Sequence, residues 1–210
     1  MLHLQPDIIL PETLSLLQRL QQDPLLNDYF LVGGTALALQ IGHRFSVDLD
    51  LFSQSSFDTQ QLTQHLENNY YFQLLSVAPN TVMALVENVK VDFITHAYPL
   101  VKELLLENGL RFASSLDIAA MKLNAIAHSG QRIKDFYDIY FLLEYFSLKD
   151  LLDAYVIKYS KSNPIIALKG LTYFDDIRLE EDKPILRKKR SFATVKRRLE
   201  QAAQKTDIIF

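Results

Sequence analysis

Within 31-LVGGTALALQIGHRFSVDLDLF-52 the hydrophobic pattern changes its period twice, which narrows what this chain can fold into. The apolar run Phe30 to Val32 reads as a short strand that ends at Gly33-Gly34. From Thr35, Leu37, Ala38 and Ile41 recur at helical spacing, and 46-SVDLDLF-52 then alternates polar and apolar as a strand does. A strand, a two-glycine turn, a short helix and a second strand in so short a stretch predict a sheet flanked by helices. On that second strand Asp48 and Asp50 are two residues apart and share one face, with Val47, Leu49 and Leu51 directed to the core. Neighbouring like charges are costly unless a cation lies between them.

The rest of the chain extends this pattern. Pro11 opens a helix over ETLSLLQRLQQ in which Leu14, Leu17 and Leu20 share a face. Residues 58-DTQQLTQHLENNY-70 read as a helix with Asp58 as its N-cap. Two or three strands follow to His96, separated by turn signals at Pro79-Asn80 and Glu87-Asn88. Residues 100–109 fit helix or loop equally. Helices are expected over 116-LDIAAMKLNAIAHSG-130 (capped by Ser115 and ended by Gly130), over 132–146 and over 149–160. The expected class is α+β: a mixed sheet with flanking helices, then a C-terminal helical bundle, the two meeting at a cleft.

Composition sets outer limits. The chain of 210 residues is 49% hydrophobic and 22% charged, ordinary for a globular protein with one sizeable core and an appendage. It has no cysteine, which removes disulfides, thiolate metal sites and a thiol nucleophile. No apolar run approaches the roughly 20 residues of a membrane span, and no signal peptide is evident, so a cytoplasmic protein is expected. The net charge of −3 conceals a basic C-terminal region, 187-RKKR-190 and 196-KRR-198. Such runs are either a solvated helix face or a surface for phosphates and nucleic acid.

Paired carboxylates are hard oxygen ligands suited to Mg²⁺, which favours one or two of them together with substrate phosphates. The Gly33-Gly34 turn before a helix exposes backbone N–H groups to an anion, and Thr35 offers a hydroxyl to the same oxygens. Asp48 and Asp50 alone would fit a charged strand edge, and Gly33-Gly34 alone a plain turn; their succession is what points to a phosphate and metal site.

This succession, h-G-G-T, a short helix, then His-Arg-x-Ser-x-Asp-Leu-Asp-Leu-Phe, resembles the signature of the polymerase-β-type (minimal) nucleotidyltransferases. More closely it resembles the AbiEii/AbiGii-type nucleotidyltransferase toxins. The segment 122-KLNAIAHSGQRIKDFYDIYFLL-143 is similar to a later motif of that family, and the two segments together span most of residues 30 to 145. The resemblance implies a nucleotidyltransferase α/β core over residues 1–110 and a helical domain over 111–210. It implies that Gly33, Gly34 and Thr35 hold NTP phosphates and that Asp48 and Asp50 bind Mg²⁺, with Mn²⁺ as a substitute. A third carboxylate is usual in the superfamily, and Asp92 in 89-VKVDFITH-96 is the candidate, as metal ligand and as general base. Lys122 is matched to a functional lysine that neutralises phosphate. Asp135 and Asp138, one turn apart, would orient Lys122 or meet the nucleotide. Arg44 would contact phosphate or pair with Asp48 or Asp50. Phe136, Tyr137, Tyr140 and Phe141 are expected in the core.

The expectation is therefore an Mg²⁺-dependent enzyme that transfers NMP from an NTP to an acceptor hydroxyl, with tRNA or another RNA as acceptor and an antitoxin as partner. A protein side chain as acceptor (an NMPylating enzyme) fits the nucleotide half equally well. A non-catalytic nucleotide- or RNA-binding module and a phosphohydrolase are the readings from other classes.

Overall fold

The computed structural model describes residues 1–179 and 181–210. The chain divides into two compact units, Met1–Pro99 with Glu103–Ala113, and Leu100–Lys102 with Ser114–Phe210.

The first unit holds the whole sheet. Its elements in chain order are α1 (Pro11–Gln22), β1 (Phe30–Val32), α2 (Gly33–Ile41), β2 (Leu49–Ser53), α3 (Thr59–Asn69), β3 (Phe72–Ala78), β4 (Thr81–Val86), β5 (Val89–Thr95), β6 (Leu105–Glu107) and β7 (Leu110–Phe112). The strand order is β3-β4-β5-β2-β1-β7-β6, with β2–β5 and β1–β7 parallel and the other pairs antiparallel. The short central strands are apolar: Leu31, Leu49, Leu51, Val91 and Phe93 are buried, as period-2 alternation requires on their core face. Hairpin turns sit where left-handed backbone is tolerated, at Glu87-Asn88 and Asn108-Gly109, each with two positive φ angles in succession. Residues 100–109, left open between helix and loop, thus contain a strand that pairs with β7.

Two boundaries differ from the sequence reading. The helix after the glycines starts at Gly33 and includes both of them. β2 begins at Leu49, so Asp48 lies just before it and Val47 is 41% exposed instead of facing the core. Residues 45–48 are held by other bonds: Ser46 N–H donates to Ile8 O at 2.9 Å, and the Thr35 hydroxyl donates to the Asp48 carbonyl.

The second unit is helical: α4 (Ser115–His128), α5 (Ile133–Leu142), α6 (Leu148–Lys158), α7 (Pro164–Leu171) and α8 (Phe192–Gln204). α4 packs against α5, α6 and α7, and α5 against α8. Each start has a local cause. Ser114, one residue before the expected cap, accepts from Asp117 N–H; Ser147 and Asp150 form a capping box; Asn163 caps α7 ahead of Pro164. Phe136, Tyr137, Tyr140 and Phe141 are all buried, as expected. The basic run on α8 is partly structural: Arg198 stacks on the Tyr140 ring at 3.9 Å and Lys196 lies over Phe174 and Phe192.

Candidate active site

The first unit builds its acidic cluster from two neighbouring parallel strands. In the β2–β5 ladder Asp50 is the direct partner of Asp92, flanked by Leu49–Val91 and Leu51–Phe93. Registered residues of adjacent strands, about 4.8 Å apart, project to the same face. The leucines, Val91 and Phe93 take the core face, which leaves Asp50 and Asp92 together on the other. Asp48 stands two residues upstream of Asp50, exposed to solvent. The sheet thus brings Asp50 beside Asp92, with Asp48 just ahead of β2.

The glycines explain why the turn must be bare. A Cβ on Gly33 would overlap the Asp50 carboxylate, and one on Gly34 would overlap the Arg44 guanidinium. Gly33 also has φ of +69°, a backbone that other residues adopt at a cost. Asp50 and Arg44 are therefore packed directly on the first turn of α2. Val32 precedes that turn without giving it a side-chain cap, and a helix start of this kind favours a negative charge beside it. Arg44 is buried, and its Nη1 donates to Phe45 O at 3.2 Å and to Ser46 Oγ at 3.4 Å. Thr35 lies beneath the turn, buried, with its hydroxyl on the Asp48 carbonyl and 2.8 Å from Ser46 Oγ. In this structure it fixes the approach to Asp48.

Asp92 is only 6% exposed. Its Oδ2 accepts from Lys90 Nζ at 3.0 Å, while its buried Oδ1 has no hydrogen-bond partner. A buried carboxylate oxygen left unsatisfied is costly, which makes it a fitting ligand for an ion or a proton. Lys90 is the residue that the sequence reading passed over, although its place two before Asp92 puts it on the same strand face. Burial works against the Lys90 ammonium. The hydrogen bond to Asp92 and the charges of Asp92, Asp48 and Asp50 outweigh that and raise its pKa above the ordinary lysine value.

Among the described residues no three acidic or histidine side chains are gathered tightly enough to hold an ion as they stand. The donor chemistry nevertheless fits a hard divalent cation: two registered carboxylates, one of them with a bare buried oxygen, and a third next to them.

The other expected site residues lie in the second unit. Lys122 on α4 is buried, not at the surface, and its Nζ is 2.6 Å from Asp135 Oδ1 and 2.8 Å from Asp138 Oδ2, both on α5. Both aspartates thus hold the same lysine. A second buried pair, which no sequence signal announced, joins Lys158 to Asp117 at 3.0 Å. Asp117 also accepts from Val101 N–H at 2.8 Å, Lys102 N–H at 3.2 Å and the Ser114 hydroxyl at 2.6 Å.

A mixed sheet that aligns carboxylates on adjacent strands beside a glycine-started helix is the arrangement expected of a nucleotidyltransferase. The chain belongs to a particular family of them: residues 15–72 and 70–207 match the family described as nucleotidyl transferase AbiEii toxin, type IV TA system. An uncharacterised protein of Aquifex aeolicus, aq_aa25, is 36% identical over 162 residues, 74% of this chain and 78% of that protein. The fold is similar to that of MenT4, a nucleotidyltransferase toxin of Mycobacterium tuberculosis, with a TM-score of 0.60 at 16% identity over 90% of this chain and 79% of that one. It is also similar to JHP933 of Helicobacter pylori, with a TM-score of 0.54 at 20% identity over 93% and 92% of the two chains.

Proposed function

We propose that this nucleotidyltransferase transfers NMP from an NTP to an acceptor hydroxyl, with a divalent cation, Mg²⁺ or in its place Mn²⁺, held by Asp48, Asp50 and Asp92. The observation that carries the reading is the Asp50–Asp92 register beside the bare first turn of α2. When bound, the cation polarises the reacting phosphate and screens the charge that develops on the leaving group. The N–H groups of the α2 start, bared by Gly33 and Gly34, would hold triphosphate oxygens with Arg44 beside them. The acceptor oxygen bonds to the α-phosphorus, the bond to the bridging oxygen breaks, and pyrophosphate leaves. Asp92, proposed as a ligand of the cation, is also the residue proposed to take the acceptor proton.

For Lys122, Asp135 and Asp138 the family likeness suggests nucleotide contact. Its support here is that two carboxylates fix the ammonium in one orientation. A tRNA or another RNA as acceptor is favoured by the exposed basic run 187–190. The toxin family suggests a cognate antitoxin and action in the bacterial cytoplasm. No helix among the described residues is long and apolar enough to cross a membrane.

The test is incubation with each α-labelled NTP, Mg²⁺, and either total tRNA or cell lysate. Wild type is expected to label an RNA band, and the Asp48→Ala/Asp50→Ala variant to label nothing. A labelled protein band would replace RNA with a side-chain acceptor; free labelled mononucleotide would indicate a hydrolase. Equal labelling by both proteins would remove the enzyme reading of this site.

A further inference from the structure

The three carboxylates of the sheet unit carry a puzzle: they are brought together, yet not closely enough to hold an ion as they stand. Lys90 resolves it. Its ammonium bonds Asp92 Oδ2 and feels the charges of Asp48 and Asp50 as well. We propose that Lys90 is a resident counter-ion of this site, a positioning residue whose ammonium stands in for part of the divalent cation's charge and moves off Asp92 when that cation enters. The inference rests on the metal-site reading given above.

Three features support displacement over a fixed salt bridge. The Lys90 side chain is 43% exposed, so its flexible stem has a path to solvent, whereas Asp92 is held in the central strand β5. The ammonium is bonded to a single carboxylate oxygen, Asp92 Oδ2, so its departure breaks one contact. And while Lys90 occupies Oδ2, the buried Oδ1 of Asp92 has no partner, a cost that coordination would relieve. The device also explains how Asp48, Asp50 and Asp92 can be adjacent before the ion arrives, because Lys90 reduces their repulsion.

The test measures Mn²⁺ binding, from the loss of its free electron paramagnetic resonance signal, on wild type, Lys90→Met, Lys90→Arg, Asp50→Asn and Asp92→Asn. Lys90→Met is expected to bind Mn²⁺ about two- to fivefold more tightly, the scale of a half-exposed ion pair, and to melt lower than wild type in chelator. Lys90→Arg, which keeps the charge, is expected to stay near wild type. Wild type itself offers a reading that no variant's folding can disturb. Acetylation of Lys90, followed by mass spectrometry, should speed up when Mn²⁺ is added, and should not in Asp92→Asn. Mn²⁺ affinity unchanged or weakened in Lys90→Met would overturn the proposal, as would weakened NTP binding alone, which would make Lys90 a phosphate ligand. These failures leave the metal site intact; if wild type and Asp50→Asn both bind no Mn²⁺, the metal-site reading itself is what falls.

Discussion

Two sets of three aspartates in this chain have opposite fates. In the helical unit Asp117, Asp135 and Asp138 are almost fully buried, and each has a lysine ammonium within 3.0 Å. In the sheet unit Asp48 is exposed, and Asp92 has one satisfied oxygen and one bare one. Burial of a carboxylate is tolerable only with near-complete compensation, and the helical set has it. In the sheet set Asp92 keeps one buried oxygen without a hydrogen bond, on a strand that holds it rigidly. That difference separates carboxylates whose charge is already answered by a buried lysine from the carboxylates proposed to meet a cation.

The largest expected effect breaks the settled set. Lys122→Met leaves Asp135 and Asp138 facing each other in the interior, and removing one partner of a buried pair typically costs about 3–5 kcal/mol. Urea unfolding should place the variant at or below the margin of stability. A loss under about 1 kcal/mol would mean that the triad is not a structural anchor, and the contrast between the two sets would collapse.

Gly33→Ala should come next. A left-handed backbone with a Cβ costs about 1–2 kcal/mol, and the new methyl would displace the Asp50 carboxylate. Stability should fall modestly while NMP transfer falls to the level of the Asp48→Ala/Asp50→Ala variant. Transfer that survives the substitution would show that Asp50 need not rest on the glycine.

Asp23 is an internal control, a settled carboxylate within the sheet unit. Burial alone would raise its pKa. Hydrogen bonds from His65 at 2.7 Å, from Leu25 N–H at 3.0 Å and from the Tyr70 hydroxyl at 3.0 Å outweigh that and hold it below the ordinary carboxylate value. A group depressed in the folded state contributes stability above its unfolded pKa and loses it as pH falls through its folded pKa. Melting temperatures of wild type should therefore decline on acidification below the ordinary aspartate range. Asp23→Asn should lower the plateau and flatten that limb; an unchanged acid limb would deny Asp23 this role.

The contrast was half legible in the sequence. The alternation of 46-SVDLDLF-52 located Leu49 and Leu51 in the core and set Asp50 opposite them, because period 2 is a local property. It misplaced Val47, because the bonds of Thr35 and Ser46 that keep residues 45–48 out of the ladder come from elsewhere in the chain. Asp92 was named as a third carboxylate, but its register with Asp50 arises from parallel pairing across some forty residues, which no local pattern encodes. The β6–β7 hairpin had its signal in Asn108-Gly109, hidden by a leucine run that also suits a helix. Ser114 took the cap expected of Ser115, a shift within the usual uncertainty of helix ends. Lys158, a charged residue on an otherwise ordinary helix, gave no sign that it would be buried against Asp117.

The smallest expected change in stability is at Asp48, and it separates the two sets most cleanly. Asp48 is exposed, and its side chain lies near enough to Lys90 to bias that ammonium. Its backbone carbonyl, which accepts from Thr35, is untouched by Asp48→Asn, so the local conformation should persist. Surface substitutions of this kind usually stay within about 0.5 kcal/mol, and removal of one of three like charges opposes any loss. In chelator the melting temperature of Asp48→Asn should equal or slightly exceed that of wild type. With Mg²⁺ and NTP added, wild type should gain several degrees through preferential binding to the folded state, and the variant should gain much less. A variant that loses stability in chelator would place Asp48 with the structural carboxylates. One that keeps the full gain on adding Mg²⁺ and NTP would remove it from the metal site and leave Asp50 and Asp92 to hold the ion.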